Sequence, residues 1–277
     1  MHHLIMSTLI AVVGAVAIGG HASASLLFMD EFTHADTDNY DAIDQDSSQS
    51  GSLAGAIELR ASRALFGITD NQASWPQTSE GRIRFHEQTG PGTAAGRYDF
   101  SGDLAGGSLL RVEWNVNWDE TTDWTAFNFG SIGITSGEPG ILVNNGATDV
   151  GILFRKNSDG VQVFDNGSLT LDEVSIPYTR TGTGRVRVDV AYDGVSDGDA
   201  LTVNAWVDDV QVVSNLGGFA WNDLVAEGGI NLEFEQRNGP SRIDNLSISL
   251  IPEPSSVALC GLLGMLGLAG RLRSRWG

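Results

Sequence analysis

Arg185-Val186-Arg187-Val188-Asp189-Val190-Ala191-Tyr192, a turn from Asp193 to Asp199, and Leu201-Thr202-Val203-Asn204-Ala205-Trp206-Val207 together decide the fold. Successive side chains of a strand point to opposite faces. Val186, Val188 and Val190 therefore share one face with nothing charged on it, and Arg187 and Asp189 share the other. In the second run Leu201, Val203, Ala205 and Val207 point inward, and Thr202, Asn204 and Trp206 point outward. A strand that is apolar on one face only belongs to an antiparallel sheet laid over a core. The pattern recurs at 111–118, where Val112, Trp114, Val116 and Trp118 oppose Glu113, Asn115 and Asn117. It recurs again at 230–235, where Ile230, Leu232 and Phe234 oppose Asn231, Glu233 and Glu235.

Working outward, strands are expected at 26–32, 56–60, 81–86, 109–118, 126–135, 151–155, 161–165, 185–192, 201–207, 211–213, 229–235 and 242–251. Asp193-Gly194, Asp159-Gly160, Asn166-Gly167 and Asn238-Gly239-Pro240 mark sharp turns between them. This many strands without a repeat period implies an all-β, two-sheet antiparallel β-sandwich. The acidic, Ser-rich stretch 36–55 reads as a loop, and 221–225 as a turn of helix.

Composition narrows the function. The chain has 35 acidic against 16 basic residues and a net charge of −19. Phosphate binding needs clustered Lys and Arg, so nucleic acid is excluded as a natural partner. The single cysteine, Cys260, lies near the C-terminus, so no disulfide and no thiol chemistry is available before it.

The two ends have a different character. Residues 4–20 are apolar, and Ala22-Ser23-Ala24 offers an A-x-A cleavage site before Ser25, so 1–24 reads as a signal peptide. At the other end Pro252-Glu253-Pro254 breaks the last strand, because proline fixes its own φ and disfavours helix before it. An uncharged run at 257–270 follows, then Arg271, Arg273 and Arg275. Fourteen apolar residues fall short of the roughly 20 a straight span needs, and flanking serines and snorkelling arginines extend them. The arginines belong on the cytoplasmic side. The expected organisation is 1–24 signal peptide, 25–251 β-sandwich and 252–277 sorting tail.

The tail resembles the PEP-CTERM signal on three features: the Pro252-Glu253-Pro254 motif, the short transmembrane segment and the basic end. That resemblance implies recognition and cleavage at the inner membrane of a Gram-negative bacterium by an exosortase-type enzyme. The body resembles a concanavalin A-like (LamG-type) jelly roll in Phe28-Met29-Asp30-Glu31-Phe32, Gln49-Ser50-Gly51-Ser52-Leu53 and Arg242-Ile243-Asp244-Asn245-Leu246-Ser247-Ile248. The strand–turn–strand at 186–213 carries it too. Secreted jelly rolls often tie their first and last strands with a structural Ca2+, which here implies Asp30 and Asp244.

Three function classes remain. If the four polar faces lie side by side on one sheet, Asn115, Asn117, Asp189, Asn204, Trp206, Glu233 and Glu235 form a carbohydrate-binding surface, with the indole stacking on a pyranose. This is the preferred reading: a non-catalytic carbohydrate-binding or polysaccharide-matrix protein. The second is a glycoside hydrolase or lyase using Glu233 and Glu235, two apart on one strand. Laminarinase-like hydrolases place Glu-x-Asp-x-x-Glu on such a strand. Glu233-Phe234-Glu235-Gln236-Arg237-Asn238 departs from it in the middle acid and lacks the third. The third is a purely structural surface protein. Trp75, Trp124 and Trp221 fall in loop-like segments, as rim contacts or as plugs at the ends of the core.

Overall fold

The computed structural model describes residues 24–33, 37–40, 42–43, 49–63, 66–69, 72–74, 81–88, 96–118, 124–132, 148–155, 160–175, 182–237 and 242–252. The chain divides into one compact unit, Ser25–Leu250, and the terminal stretches Met1–Ala24 and Ile251–Gly277. Pro252 is half-buried, whereas Glu253, Pro254, the apolar run, the signal peptide and Trp75 lie outside the described residues. Among the described residues no helix is long and apolar enough to cross a membrane.

The strands in chain order are β1 (Ser25–Asp30), β2 (Thr37–Tyr40), β3 (Ala42–Ile43), β4 (Gln49–Ser50), β5 (Ile57–Arg63) and β6 (Phe66–Thr69). Then come β7 (Gln72–Ser74), β8 (Gly81–Glu87), β9 (Leu109–Trp118), β10 (Trp124–Ile132), β11 (Thr148–Arg155) and β12 (Gly160–Asp165). The last six are β13 (Ser168–Ser175), β14 (Gly182–Tyr192), β15 (Ala200–Val207), β16 (Val210–Ala220), β17 (Asn231–Arg237) and β18 (Arg242–Ile251). Among the described residues two short helices, α1 (Ser101–Leu104) and α2 (Leu224–Glu227), interrupt them. The stretch 36–55 is therefore more than a loop, since β2, β3 and β4 fall within it. Trp124 opens a strand instead of lying in a loop. Short, polar or turn-rich surroundings hide both in the sequence, because pairing with a distant strand overrides local propensity.

Two antiparallel sheets result. The first runs β16-β15-β14-β9-β18-β7-β6-β2, with β1 on β18 and β4 on β1. The second runs β13-β12-β11-β10-β17-β8-β5-β3. This is the two-sheet sandwich expected from alternation. Val186, Val188, Val190, Val112, Val116, Leu201, Val203 and Val207 from the first sheet meet Phe127, Phe129, Ile152, Phe154, Leu232 and Phe234 from the second. Trp114 sits at the centre, its ring centroid 5.2 Å from Phe234, 5.8 Å from Phe127 and 6.0 Å from Phe154. The edge-on contacts with Phe234 and Phe154 suit the aromatic quadrupoles and add to the large burial. Trp221 closes one end: it is fully buried and its indole N–H donates to the Gly194 carbonyl at 2.9 Å. It is a plug.

Two glycines hold close approaches at that end. Gly130 has φ +101°, and a Cβ there would collide with the Asp149 carboxylate. Gly229 has φ +92°, and its Cβ would collide with Asp99. Only glycine supplies both the backbone angle and the room.

Candidate functional site

The candidate residues divide between the two outward faces of the sandwich. On the first sheet, pairing aligns Glu113, Arg187, Trp206 and Gln211 in one row across β9, β14, β15 and β16. The next row is Arg111, Asp189 and Asn204. Asn115 pairs with Arg185, and Asn117 with Thr183 further along the same ladder. By register, five of the seven expected residues thus share a face: Asn115, Asn117, Asp189, Asn204 and Trp206.

Their chemistry is set by arginines that alternation places outside without giving them a role. Arg111 grips Asp189 with two parallel hydrogen bonds of 2.8 Å. Such a fork-on-carboxylate pair is stronger and more directional than a single contact. The bond to Asp189 raises the Arg111 pKa, while its partial burial pulls the other way. Arg187 reaches Asp189 only at 3.7 Å and instead lies over the Trp206 ring, its guanidinium carbon 3.5 Å from the centroid. That is a cation–π stack, and it fixes the half-buried indole. The Asn204 Oδ1 accepts from Gln211 Nε2 at 3.0 Å and from the Asn215 N–H at 2.8 Å. Arg185 bridges to Glu113 at 2.6 Å. The face is a braced ladder of guanidinium, amide and indole groups around a buried carboxylate, since Asp189 is 5% exposed and Arg111 holds both its oxygens.

Glu233 and Glu235 are not part of it. β17 pairs with β10 and β8 in the second sheet, so both glutamates lie on the opposite surface from Trp206. The expectation of one continuous seven-residue surface fails for this reason: the four strands are not neighbours in one sheet. Nor are the two glutamates solvated; both are fully buried. Register sets Glu233 beside Arg84 and Glu235 beside Arg82. Arg84 pairs directly with Glu233, and Arg82 lies 3.7 Å from Glu233 and 3.5 Å from Glu235. The Asn128 amide reaches Glu235 at 3.5 Å, and Arg60 pairs with Glu58 at the β5 side. Beside this network Ala126, Leu153 and Phe164 form a second small apolar cluster on the same outward face. The signal is present in Arg82-Ile83-Arg84-Phe85-His86, whose alternation matches Glu233-Phe234-Glu235 with opposite charge.

At the β1–β18 seam the first and last long strands do pair, from Ser25 opposite Leu250 to Asp30 opposite Leu246. Asp30 is buried, accepts the Phe32 N–H at 2.7 Å and receives Gln49 Nε2 at 3.3 Å. Asp244 accepts from its neighbour Asn245, N–H at 2.7 Å and Nδ2 at 2.8 Å. Burial raises the Asp244 pKa, and the charges of Glu31 and Asp30 push it the same way. Among the described residues no group of three or more His, Cys, Asp or Glu side chains is placed to hold a metal ion. The turn carboxylates at 193–199 serve the backbone: Asp199 accepts from the Ser196 N–H and Asp197 from the Leu224 N–H, both at 2.8 Å.

A shallow cavity of about 340 Å³ opens beside α2, lined by Asp99, Ser101, Val195, Leu224, Val225 and Gly229. Both Asp99 and Ser101 accept from the Ile230 N–H, so its polar groups are used by the fold.

No protein-family model and no curated protein matches this chain. Solved structures do. A point mutant of the Emp46p carbohydrate recognition domain is 12% identical, with 74% of this chain and 91% of that one covered at a TM-score of 0.42. Basic winged bean lectin with Tn-antigen is 14% identical, with 78% and 96% covered at 0.41. A double mutant of alginate lyase Aly36B in complex with alginate trisaccharide is 11% identical, with 81% and 97% covered at 0.43. The fold class itself, an all-β two-sheet antiparallel sandwich, rests on the strand order of the two sheets.

Proposed function

We propose that this is an exported, exosortase-processed extracellular protein whose sandwich binds carbohydrate or matrix polysaccharide without catalysis. The observation that carries the binding reading is the Arg187–Trp206 stack beside the half-buried Asn204, on a face that the buried Asp189 braces. The guanidinium holds the indole still, so the exposed part of the ring meets a sugar without first losing rotamer entropy. The Asn204 and Gln211 amides beside it suit sugar hydroxyls. Asn115 and Asn117 continue the same strand face and lengthen the contact available to a chain-like ligand.

The non-catalytic reading draws support from the glutamates. Both are fully buried and paired with arginines of β8, the arrangement of carboxylates that hold a sheet together. Export and sorting rest on the sequence: a signal peptide, then the Pro252-Glu253-Pro254 motif, apolar run and arginines of the tail. The partner is an exosortase-type enzyme, and the destination is the cell surface or extracellular matrix after a transient stay in the inner membrane.

Affinity electrophoresis through gels containing a polysaccharide panel tests the binding. Retardation that Trp206→Ala abolishes is the expected result. Retardation unchanged in Trp206→Ala removes this face. Sugar release from β-glucan, lost in Glu233→Gln, replaces binding with hydrolysis. No retention by any glycan and no hydrolysis leave a structural surface protein.

A further inference from the structure

We infer that one pole of the sandwich faces the bilayer in the precursor, because both membrane-directed ends leave the fold there side by side. The inference rests on the sorting reading above. Ser25, the first residue after the A-x-A site, pairs with Leu250, two residues before Pro252. Antiparallel partners stand roughly 5 Å apart. The strand after the signal peptide and the strand before the sorting motif thus start and finish at one point.

Contacts locate that point on the molecule. A Cβ on Gly107 would collide with the Leu250 side chain, which puts the end of β18 beside the α1–β9 connection. The Tyr192 N–H donates to the Ser108 carbonyl at 3.0 Å, so β14 ends at the same pole. The Gly198 N–H reaches the Trp221 carbonyl at 2.8 Å, and the Phe100 N–H the Ile230 carbonyl at 2.9 Å. Segments 99–108, 193–200 and 220–229 therefore form one cap over the pole from which both ends depart.

That cap has a composition of its own. It carries Asp99, Asp103, Asp193, Asp197, Asp199, Asp223 and Glu227 and no Lys or Arg. At its crest Val225 is 94% exposed, far more than any other large apolar residue among those described. Anionic lipid repels the carboxylates, so the cap does not adhere by charge. The two apolar segments hold it there, with Val225 the side chain suited to the acyl boundary. Both processing points then lie at the membrane surface without any strand having to unpair. Cutting before Ser25 and near Pro254 leaves β1 and β18 whole. The domain completes its fold while tethered, and removal of the tethers frees an acidic pole that the bilayer repels.

Single labels at the two poles test this. Val225 marks the cap, and Asp209, in the β15–β16 turn and 80% exposed, marks the far end. β15 spans eight residues, so the two lie roughly 25 Å apart along the strands. In a Cys260→Ser background, Val225→Cys and Asp209→Cys variants of the full chain receive a bimane label. They are reconstituted in phosphatidylethanolamine/phosphatidylglycerol vesicles carrying a brominated-lipid quencher. Quenching at position 225 at least about threefold that at 209 is expected, since interfacial contact reaches only about 5–10 Å. Equal quenching, or stronger quenching at 209, overturns the inference while the sorting reading stands. A full chain that fails to float with the vesicles overturns both.

Discussion

Replacing Glu233 by glutamine separates a structural role from a catalytic one by a large margin. The substitution keeps the side-chain shape and removes one negative charge. It takes away the carboxylate that Arg84 grips directly and one of the two that flank Arg82, the other being Glu235 at 3.5 Å. All of these side chains except a sliver of Arg84 are shielded from water. Removing one member of a buried ion pair costs about 3–5 kcal/mol, because the survivor stays charged and poorly solvated. For a domain of this size each kcal/mol moves Tm by about 2–4 °C. Thermal unfolding followed by far-UV circular dichroism should therefore show a fall of roughly 6–20 °C. The lower half of that range is favoured, since Glu235 still neutralises part of the network. Replacing Glu233 and Arg84 together by methionine should cost less than the two single changes summed, as the stranded charge disappears. A Glu233→Gln protein melting within about 2 °C of wild type refutes the structural reading of this network.

Asp244 gives a pH-dependent test. Its pKa is raised by burial, so the folded state binds its proton more tightly than the unfolded chain does. Stability from this group is thus present in acid and is lost as pH rises from the usual carboxylate range through the raised value. Asp244→Asn should raise Tm at pH 7 and lose that advantage below pH ~4; a Tm lowered at pH 7, together with a wild-type Tm that climbs on adding CaCl2, would instead favour the calcium tie. Gly130→Ala should cost more than about 1 kcal/mol, from a left-handed backbone and a methyl driven into Asp149, and equal melting of variant and wild type would contradict it. Trp114→Ala should cost about 3–5 kcal/mol and flatten the near-ultraviolet circular dichroism, because the indole meets three phenylalanines at the centre of the core.

How far the sequence can be read follows from which interactions are local. The inward and outward sets of β9, β14 and β15 are legible because alternation is enforced within each strand; β9 and β18 even start and stop where expected. Neighbour relations across the sheet are different. β14 meets β9 through Arg111 and Asp189, 78 residues apart, and β17 meets β8 through Arg84 and Glu233, 149 apart. No turn chemistry fixes such pairings, and they alone decide which polar faces combine. Asp189, Asn204 and Trp206 come together because hairpin β14–β15 is local. Glu233 and Glu235 go elsewhere because β17 lies between β10 and β8. Alternation also equates polar with solvated, and on the second sheet that equation fails: Asn231, Glu233 and Glu235 read as an outer face and are buried. A strand alternating arginine with apolar residues, and another alternating glutamate, are each expensive to bury alone and tolerable to bury together. Opposite-sign alternation in distant strands is therefore itself a pairing signal. Used that way, Arg82-Ile83-Arg84 and Glu233-Phe234-Glu235 place β17 beside β8 and withdraw both glutamates from the Trp206 face.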